Sequence, residues 1–277
     1  MMKRRVLFFG VVLAALSCSR TDIDRSDHEL VEWTFMAPAT KASLAANGAF
    51  SWSKDDAIAV WDAAGESFVK FTSVTGNSIF TATAPEDASF TGAAYFPYAS
   101  VSDEGKFTLP DSYDAGNSDQ GAGIIAMYAP VEPDANVLHF KHQCAYLTYQ
   151  IPDIPATVTK IVISGSDISL SGAFTPADKD GVKELQASAG NASVTVNYGL
   201  ESKKYMLTFT IPVPVGTYAI SYTAYEGDTA FVQKHSDLVT FQRAHLYKLY
   251  DPLINDRLSL VEVEAFELSE DDTNWNE

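Results

Sequence analysis

From Val31 onward the chain alternates. Val31, Trp33 and Phe35 fall on one side of an extended backbone and Glu32 and Thr34 on the other, the period of two that marks a strand with one face on a core. The same alternation returns at Ile58 and Val60, at Ile161 and Ile163, at Tyr205, Leu207, Phe209 and Ile211, and at Tyr218, Ile220 and Tyr222. These are the β-branched and aromatic side chains that pack well on a pleated surface. No long stretch keeps an apolar stripe at helical spacing. Turn pairs such as Asn47-Gly48, Glu104-Gly105, Asp180-Gly181 and Val215-Gly216 recur between the short strands, and such turns join antiparallel neighbours rather than βαβ units. The pattern predicts an all-β fold of antiparallel sandwiches.

A loop-rich run from Asp111 to Gly123, followed by Pro130 and Pro133, divides the strand-rich sequence into 30–135 and 136–250, each near the size of one sandwich domain. Residues 18–29 carry a single aliphatic side chain, Ile23, among polar ones and read as a tether that buries too little to order itself. Beyond Asp251-Pro252, segment 251–277 holds one last strand, Leu258 to Leu268. Val261, Val263 and Ala265 lie on one of its faces and Leu258, Leu260, Phe266 and Leu268 on the other. A strand apolar on both faces needs cover on both. Glu270-Asp271-Asp272 then reads as a solvated tail.

Composition narrows the function classes. The 277 residues are 46% hydrophobic and 12% aromatic, enough for one large or two ordinary cores. Asp and Glu number 36 against 19 Lys and Arg, a formal charge of −17, which argues against a polyanion such as nucleic acid as partner. Two cysteines support neither a disulfide scaffold nor a cysteine-built zinc site. Lys3, Arg4 and Arg5 precede an apolar stretch from Val6 to Leu16, the charged region and short apolar region of a secretory signal over residues 1–17. That stretch is too short to span a bilayer, which takes about 20 residues. It ends in Ala15-Leu16-Ser17-Cys18, which resembles a bacterial lipobox, with Ala15 where the usual motif has Leu. The expectation is cleavage before Cys18, fatty acylation of that cysteine and an outer-membrane lipoprotein. Cys144, in the strand-like Cys144-Ala145-Tyr146-Leu147-Thr148-Tyr149, is then the remaining thiol and reads as a small buried hydrophobe.

Candidate chemistry is sparse. His139 and His142 are three apart in strand-like sequence, so a period of two sends their rings to opposite faces, away from a shared metal. Gly121-Ala122-Gly123-Ile124-Ile125-Ala126 matches a dinucleotide fingerprint in letters only, because a loop precedes it and a strand follows. Asp178-Lys179-Asp180-Gly181 imitates the middle of a calcium loop, but Pro176 and Ala187 stand where ligands belong, so a hairpin turn is expected there. No Gly-x-Ser-x-Gly elbow, His-Glu-x-x-His or phosphate loop occurs, and so many carboxylates single out no acid–base pair. The reading is a protein that is not an enzyme, with no cofactor and no metal.

Ala39-Thr40-Lys41-Ala42-Ser43-Leu44 followed by Phe50-Ser51-Trp52-Ser53-Lys54-Asp55-Asp56-Ala57-Ile58-Ala59-Val60-Trp61 resembles the opening of the fimbrillin family of Bacteroidota. Phe80-Thr81-Ala82, Ala94-Tyr95-Phe96-Pro97-Tyr98 and Leu109-Pro110 continue the likeness. Phe140-Lys141-His142-Gln143-Cys144-Ala145-Tyr146-Leu147 is similar to the strand that opens that family's second domain. Ile161-Val162-Ile163-Ser164-Gly165, Leu170-Ser171-Gly172 and Val239-Thr240-Phe241-Gln242-Arg243-Ala244 carry it to about residue 250. The resemblance implies two tandem transthyretin-like sandwiches, exported as a lipoprotein and used as a stalk, tip or anchor subunit of a type V pilus in cell adhesion. It also implies that an Arg- or Lys-specific protease removes the first strand and that a strand from a neighbouring subunit fills the groove, a β-augmentation. On this sequence the removable strand is Val31, Trp33 and Phe35 with their neighbours. The cut falls at Lys41, or at Arg25 as second choice, and the donor strand is Leu258, Leu260, Val261, Val263, Phe266 and Leu268. An ordinary strand completing its own sandwich is the competing reading of 258–268. The partners implied are other pilin subunits, the outer membrane through a lipid anchor, and host or bacterial surface glycans or proteins.

The alternative is a monomeric surface lipoprotein that binds glycans, with Trp61, Tyr95, Tyr98 or Tyr113 as stacking platforms. It requires two or three of these aromatics exposed on one patch, whereas polymerisation requires residues 30–37 to lie in a groove.

Overall fold

The computed structural model describes residues 29–38, 52–114, 125–151, 157–179, 181–197, 207–250 and 259–265. The alternating segments become strands. In the first part of the chain these are β1 (Leu30–Met36), β2 (Ala57–Asp62), β3 (Ser67–Thr72), β4 (Ile79–Pro85), β5 (Phe90–Phe96), β6 (Phe107–Leu109), β7 (Ser112–Asp114), β8 (Met127–Val131) and β9 (Lys141–His142). The next are β10 (Ala145–Ile151), β11 (Lys160–Gly165), β12 (Gly172–Phe174), β13 (Ala177–Lys179), β14 (Val182–Glu184), β15 (Val194–Asn197) and β16 (Leu207–Val213). The last are β17 (Gly216–Tyr218), β18 (Ile220–Glu226), β19 (Thr229–His235), β20 (Val239–Phe241), β21 (His245–Tyr250) and β22 (Ser259–Ala265). The chain is all-β, as its period-two pattern predicts; one 3-10 turn, Tyr98–Ser100, follows β5.

Three sheets carry the structure. A seven-stranded sheet runs β1-β4-β3-β2-β5-β8-β9, a five-stranded sheet β19-β18-β11-β15-β7, and a four-stranded sheet β16-β10-β21-β22. Most neighbours are antiparallel, as the turn signals require. Two are not: β10 lies parallel to β21 and β7 parallel to β15. Both join strands far apart in sequence, where no hairpin dictates direction. The expected Tyr218–Tyr222 strand is split, with Tyr218 ending β17 against β20 and Ile220 starting β18 against β11.

Two apolar clusters form. The first gathers Phe35, Ile58, Val60, Phe71, Phe80, Phe90, Phe96 and their neighbours; the second gathers Leu147, Ile161, Ile163, Ile211, Tyr222, Phe241 and Leu249. Trp52 anchors the first. Its indole N–H donates to the Ala37 carbonyl at 2.7 Å, and its ring meets those of Phe80, Phe96 and Phe140 edge-on at 4.8, 5.1 and 5.9 Å. The side chain is thus apolar cover with its one polar atom satisfied. Truncating it removes both. Trp52→Ala is expected to lower unfolding free energy by about 3–5 kcal/mol, measured by denaturant titration.

Candidate functional site

The feature with geometry suited to a function is the edge of the seven-stranded sheet. β1 pairs antiparallel with β4 in unbroken register from Leu30 opposite Pro85 to Met36 opposite Ile79, and among the described residues its other edge carries no strand of that sheet, only a bridge from Met36 to Val137. Its side chains alternate as the sequence predicts: Val31 and Trp33 are half-buried and Phe35 is buried, while Leu30, Glu32, Thr34 and Met36 are exposed. Trp33 stands edge-on to Phe90 at 5.1 Å, and Phe35 to Phe71 at 5.1 Å and to Phe90 at 5.9 Å. The inner face of β1 is therefore a lid on an aromatic trough.

The lid is pinned at both ends. At its start the Glu29 carbonyl accepts from the Glu86 N–H at 2.8 Å. At its end the Met36 N–H donates to the Asn136 carbonyl and the Met36 carbonyl accepts from the Leu138 N–H, both at 2.8 Å. Next to these, the Ala37 N–H donates to the Ser78 carbonyl at 2.7 Å, and Trp52 binds the Ala37 carbonyl. Sequence reasoning missed this clamp, because Asn136 and Leu138 are a hundred residues from Met36 and carry no local signal. β4 depends on the lid in turn: its registered pairing with β3 is the single pair Thr72 and Thr81.

The candidate donor segment is placed in this chain's own sheet. β22 forms an edge of the four-stranded sheet, antiparallel to β21 from Tyr250 opposite Ser259 to His245 opposite Ala265, with a register shift between Leu246 and Tyr247. Leu260, Val261 and Val263 belong to β22. Leu258, Phe266 and Leu268 lie outside the described residues, as do Cys18, Arg25 and Lys41.

The four aromatics of the glycan reading do not assemble into an exposed patch. Trp61 is half-buried and stands edge-on to Phe68 at 5.0 Å; the row continues to Tyr95 and Tyr128, both buried. Burial, then the neighbouring Tyr128 and Asp178, pushes the Tyr95 hydroxyl up to about 12. Tyr98 is half-buried with the Lys70 ammonium 5.8 Å from its ring. Tyr113 is buried in the second cluster. A small pocket beside Tyr98 is lined by Asp55, Asp56 and Lys70. Within it the Asp56 carboxylate already accepts from the Ser53 N–H at 2.7 Å.

The remaining candidates are structural. His139 is exposed and His142 buried, and among the described residues no three metal-ligating side chains cluster. Cys144 is free and buried, its thiol pushed up to about 12 by burial, far from a nucleophile's range. Asp178 and Lys179 sit in β13, which pairs with β14 as a hairpin. Gly121 to Ile124 lie outside the described residues, and Ile125 and Ala126 are buried where the chain enters β8. The buried His142 ring meets the Tyr146 hydroxyl at 2.7 Å. The Arg243 guanidinium donates to the His142 carbonyl at 3.4 Å.

No family model and no curated protein matches the sequence. Solved structures do match the fold. A proposed cell adhesion protein from Bacteroides ovatus ATCC 8483 superposes with a TM-score of 0.51 at 14% identity, over 86% of this chain and 96% of that one. A proposed cell adhesion protein from Bacteroides uniformis ATCC 8492 gives 0.47 at 16% identity, over 83% and 95%. The tip fimbrial protein Mfa3 of Porphyromonas gingivalis, truncated at its C terminus, gives 0.36 at 9%, over 84% and 98%. The chain is thus an all-β protein that shares the fold of the Bacteroides ovatus protein across nearly the whole of both.

Burial, followed by the Arg243 charge, holds the His142 imidazole down to about 3 from an ordinary 6.5. The unfolded chain therefore binds a proton there between those values and the folded chain does not, so this group's stability is complete above about 6.5 and is lost as pH falls towards 3. The loss expected over that whole range is on the order of 5 kcal/mol. Denaturant melts from pH 7 to pH 4 are expected to show a steeper fall for the unsubstituted chain than for His142→Gln.

Proposed function

We propose that this chain is a structural subunit of a cell-surface pilus, exported as a lipoprotein on Cys18, and that it polymerises by exchange of its first strand. It is not an enzyme in this reading, and its partners are other subunits and the outer membrane. The observation that carries the proposal is the lid: an edge strand whose inner face, Trp33 and Phe35, covers Phe71 and Phe90. Removing it uncovers an apolar trough and a row of unpaired β4 backbone groups, which another chain's strand satisfies by β-augmentation. The fold likeness to the Bacteroides ovatus cell adhesion protein and the likeness of the sequence landmarks to fimbrillins support the same reading.

The domains read from the sequence, 30–135 and 136–250, are kept as the bulk of each sandwich, although the first core also takes Phe174, Val182 and Leu185 and the second takes Tyr113. Lys41 follows the lid in sequence, so a cut after it frees β1, whereas a cut after Arg25 leaves β1 attached. The donor is the segment 258–268, leaving β21 to pair with a trough elsewhere. The glycan-binding alternative is disfavoured by the burial of Tyr95 and Tyr113.

Mass spectrometry of the N terminus of native protein sheared from cells tests the proposal against the membrane-held fraction. A sheared form that begins at Ala42 is expected, and a Lys41→Ala variant is expected to stay monomeric. Acylated Cys18 in all material, with normal fibres from Lys41→Ala, would overturn lid removal. Deletion of 258–277 is expected to leave a folded monomer that forms no polymer; intact filaments from that deletion would reassign the donor.

A further inference from the structure

The two cores do not divide the chain at one point; each borrows from the other's half. From the earlier half, β6 pairs with β12, so Phe107 and Leu109 share the first core with Phe174. β7 then leaves for the five-stranded sheet and runs parallel to β15. There Tyr113 is buried in the second core, and the Asp111 carbonyl accepts from the Thr195 N–H at 2.8 Å. From the later half, the β13–β14 hairpin comes back: Val182 and Leu185 are fully buried in the first core.

The return is stitched in place. The Leu185 N–H donates to the Gln143 carbonyl at 2.8 Å, and the Leu185 carbonyl accepts from the Val215 N–H at 2.7 Å. The buried Glu184 carboxylate faces the Arg243 guanidinium at 3.7 Å. β10 serves both sides, with Tyr146 in the first core and Ala145 and Leu147 in the second.

We propose that these reciprocal arms interlock the two cores into one body that unfolds, and yields to force, as a single unit. Modules joined by a linker part by bending it. Here parting them breaks two ladders and exposes Phe174, Val182 and Leu185 on one side and Tyr113 on the other, so opening one core opens both. A pull also meets the parallel pair β10 and β21. Tension entering at the start of β10 and leaving at the end of β21 loads the pairs from Tyr146–Leu246 to Tyr149–Leu249 together, in shear, rather than one after another. The property belongs to the folded chain whether or not it polymerises.

Hydrogen exchange of the full chain under rising denaturant tests it. Amides of β2 and β5 in the first core and of β11 and β18 in the second are expected to open at one common midpoint. Val182→Ala, a later-half residue in the first core, and Tyr113→Ala, an earlier-half residue in the second, are each expected to lower both midpoints equally. Pulling the chain by its ends is expected to release both cores in one step. Separate midpoints in the unsubstituted chain, a shift confined to the substituted core, or two successive releases would each overturn the interlock. If either variant fails to fold, exchange and pulling of the unsubstituted chain decide.

Discussion

β4 is tied to β3 at one registered pair and to β1 along the whole length of both. That imbalance governs the seven-stranded sheet. An ordinary edge strand is the expendable member of its sheet, but here the strand inside the edge leans outward on its neighbour for most of its backbone hydrogen bonds. With β1 in place, Phe35, Phe71 and Phe90 form a closed triangle of edge-to-face rings. Without it, both the backbone of β4 and the face of the triangle require a substitute. A polypeptide strand satisfies both needs at once, since only backbone supplies a ladder and only alternating side chains supply the cover.

The parts that were legible in the sequence are the parts that local physics determines. β1 was readable because Val31, Trp33 and Phe35 face a core and Glu32 and Thr34 face water, and one-sided burial writes a period of two into the residues. Cys144 was readable because it opens the strand-like run Cys144 to Tyr149, where a small thiol packs as a buried hydrophobe. The short strands β6, β7 and β12 were not, since three residues hold too little of a period to detect; β13 and β14 were legible only through the turn signal Asp180-Gly181 that lies between them. Nor was pairing across the chain: nothing in Ser112 to Asp114 says that these residues run parallel to Thr195–Asn197.

For the candidate site, the strand was visible and its clamp was not. The reading placed an apolar face on residues 31–35, but the hydrogen bonds that hold the strand's end come from Asn136 and Leu138, residues of no distinctive type. The same applies to the buried polar junction. His142 and Tyr146 are four residues apart, spacing that in one continuous strand would keep them far from contact. A break between β9 and β10 brings the ring and hydroxyl to 2.7 Å, with Arg243 arriving from the far end of the chain.

The register of β22 carries a geometric consequence. Ser259 lies opposite Tyr250 and Ala265 opposite His245, so the strand's root is at the end of β21 and its tip is beside the start of β21, one strand away from the start of β10, where Tyr146 and Leu246 pack on the first core. β22 thus closes the edge of the four-stranded sheet along the whole length of β21. Seven residues at about 3.3 Å each make a rail of roughly 23 Å, so the backbone of β21 meets a neighbour on both of its sides from Leu246 to Leu249.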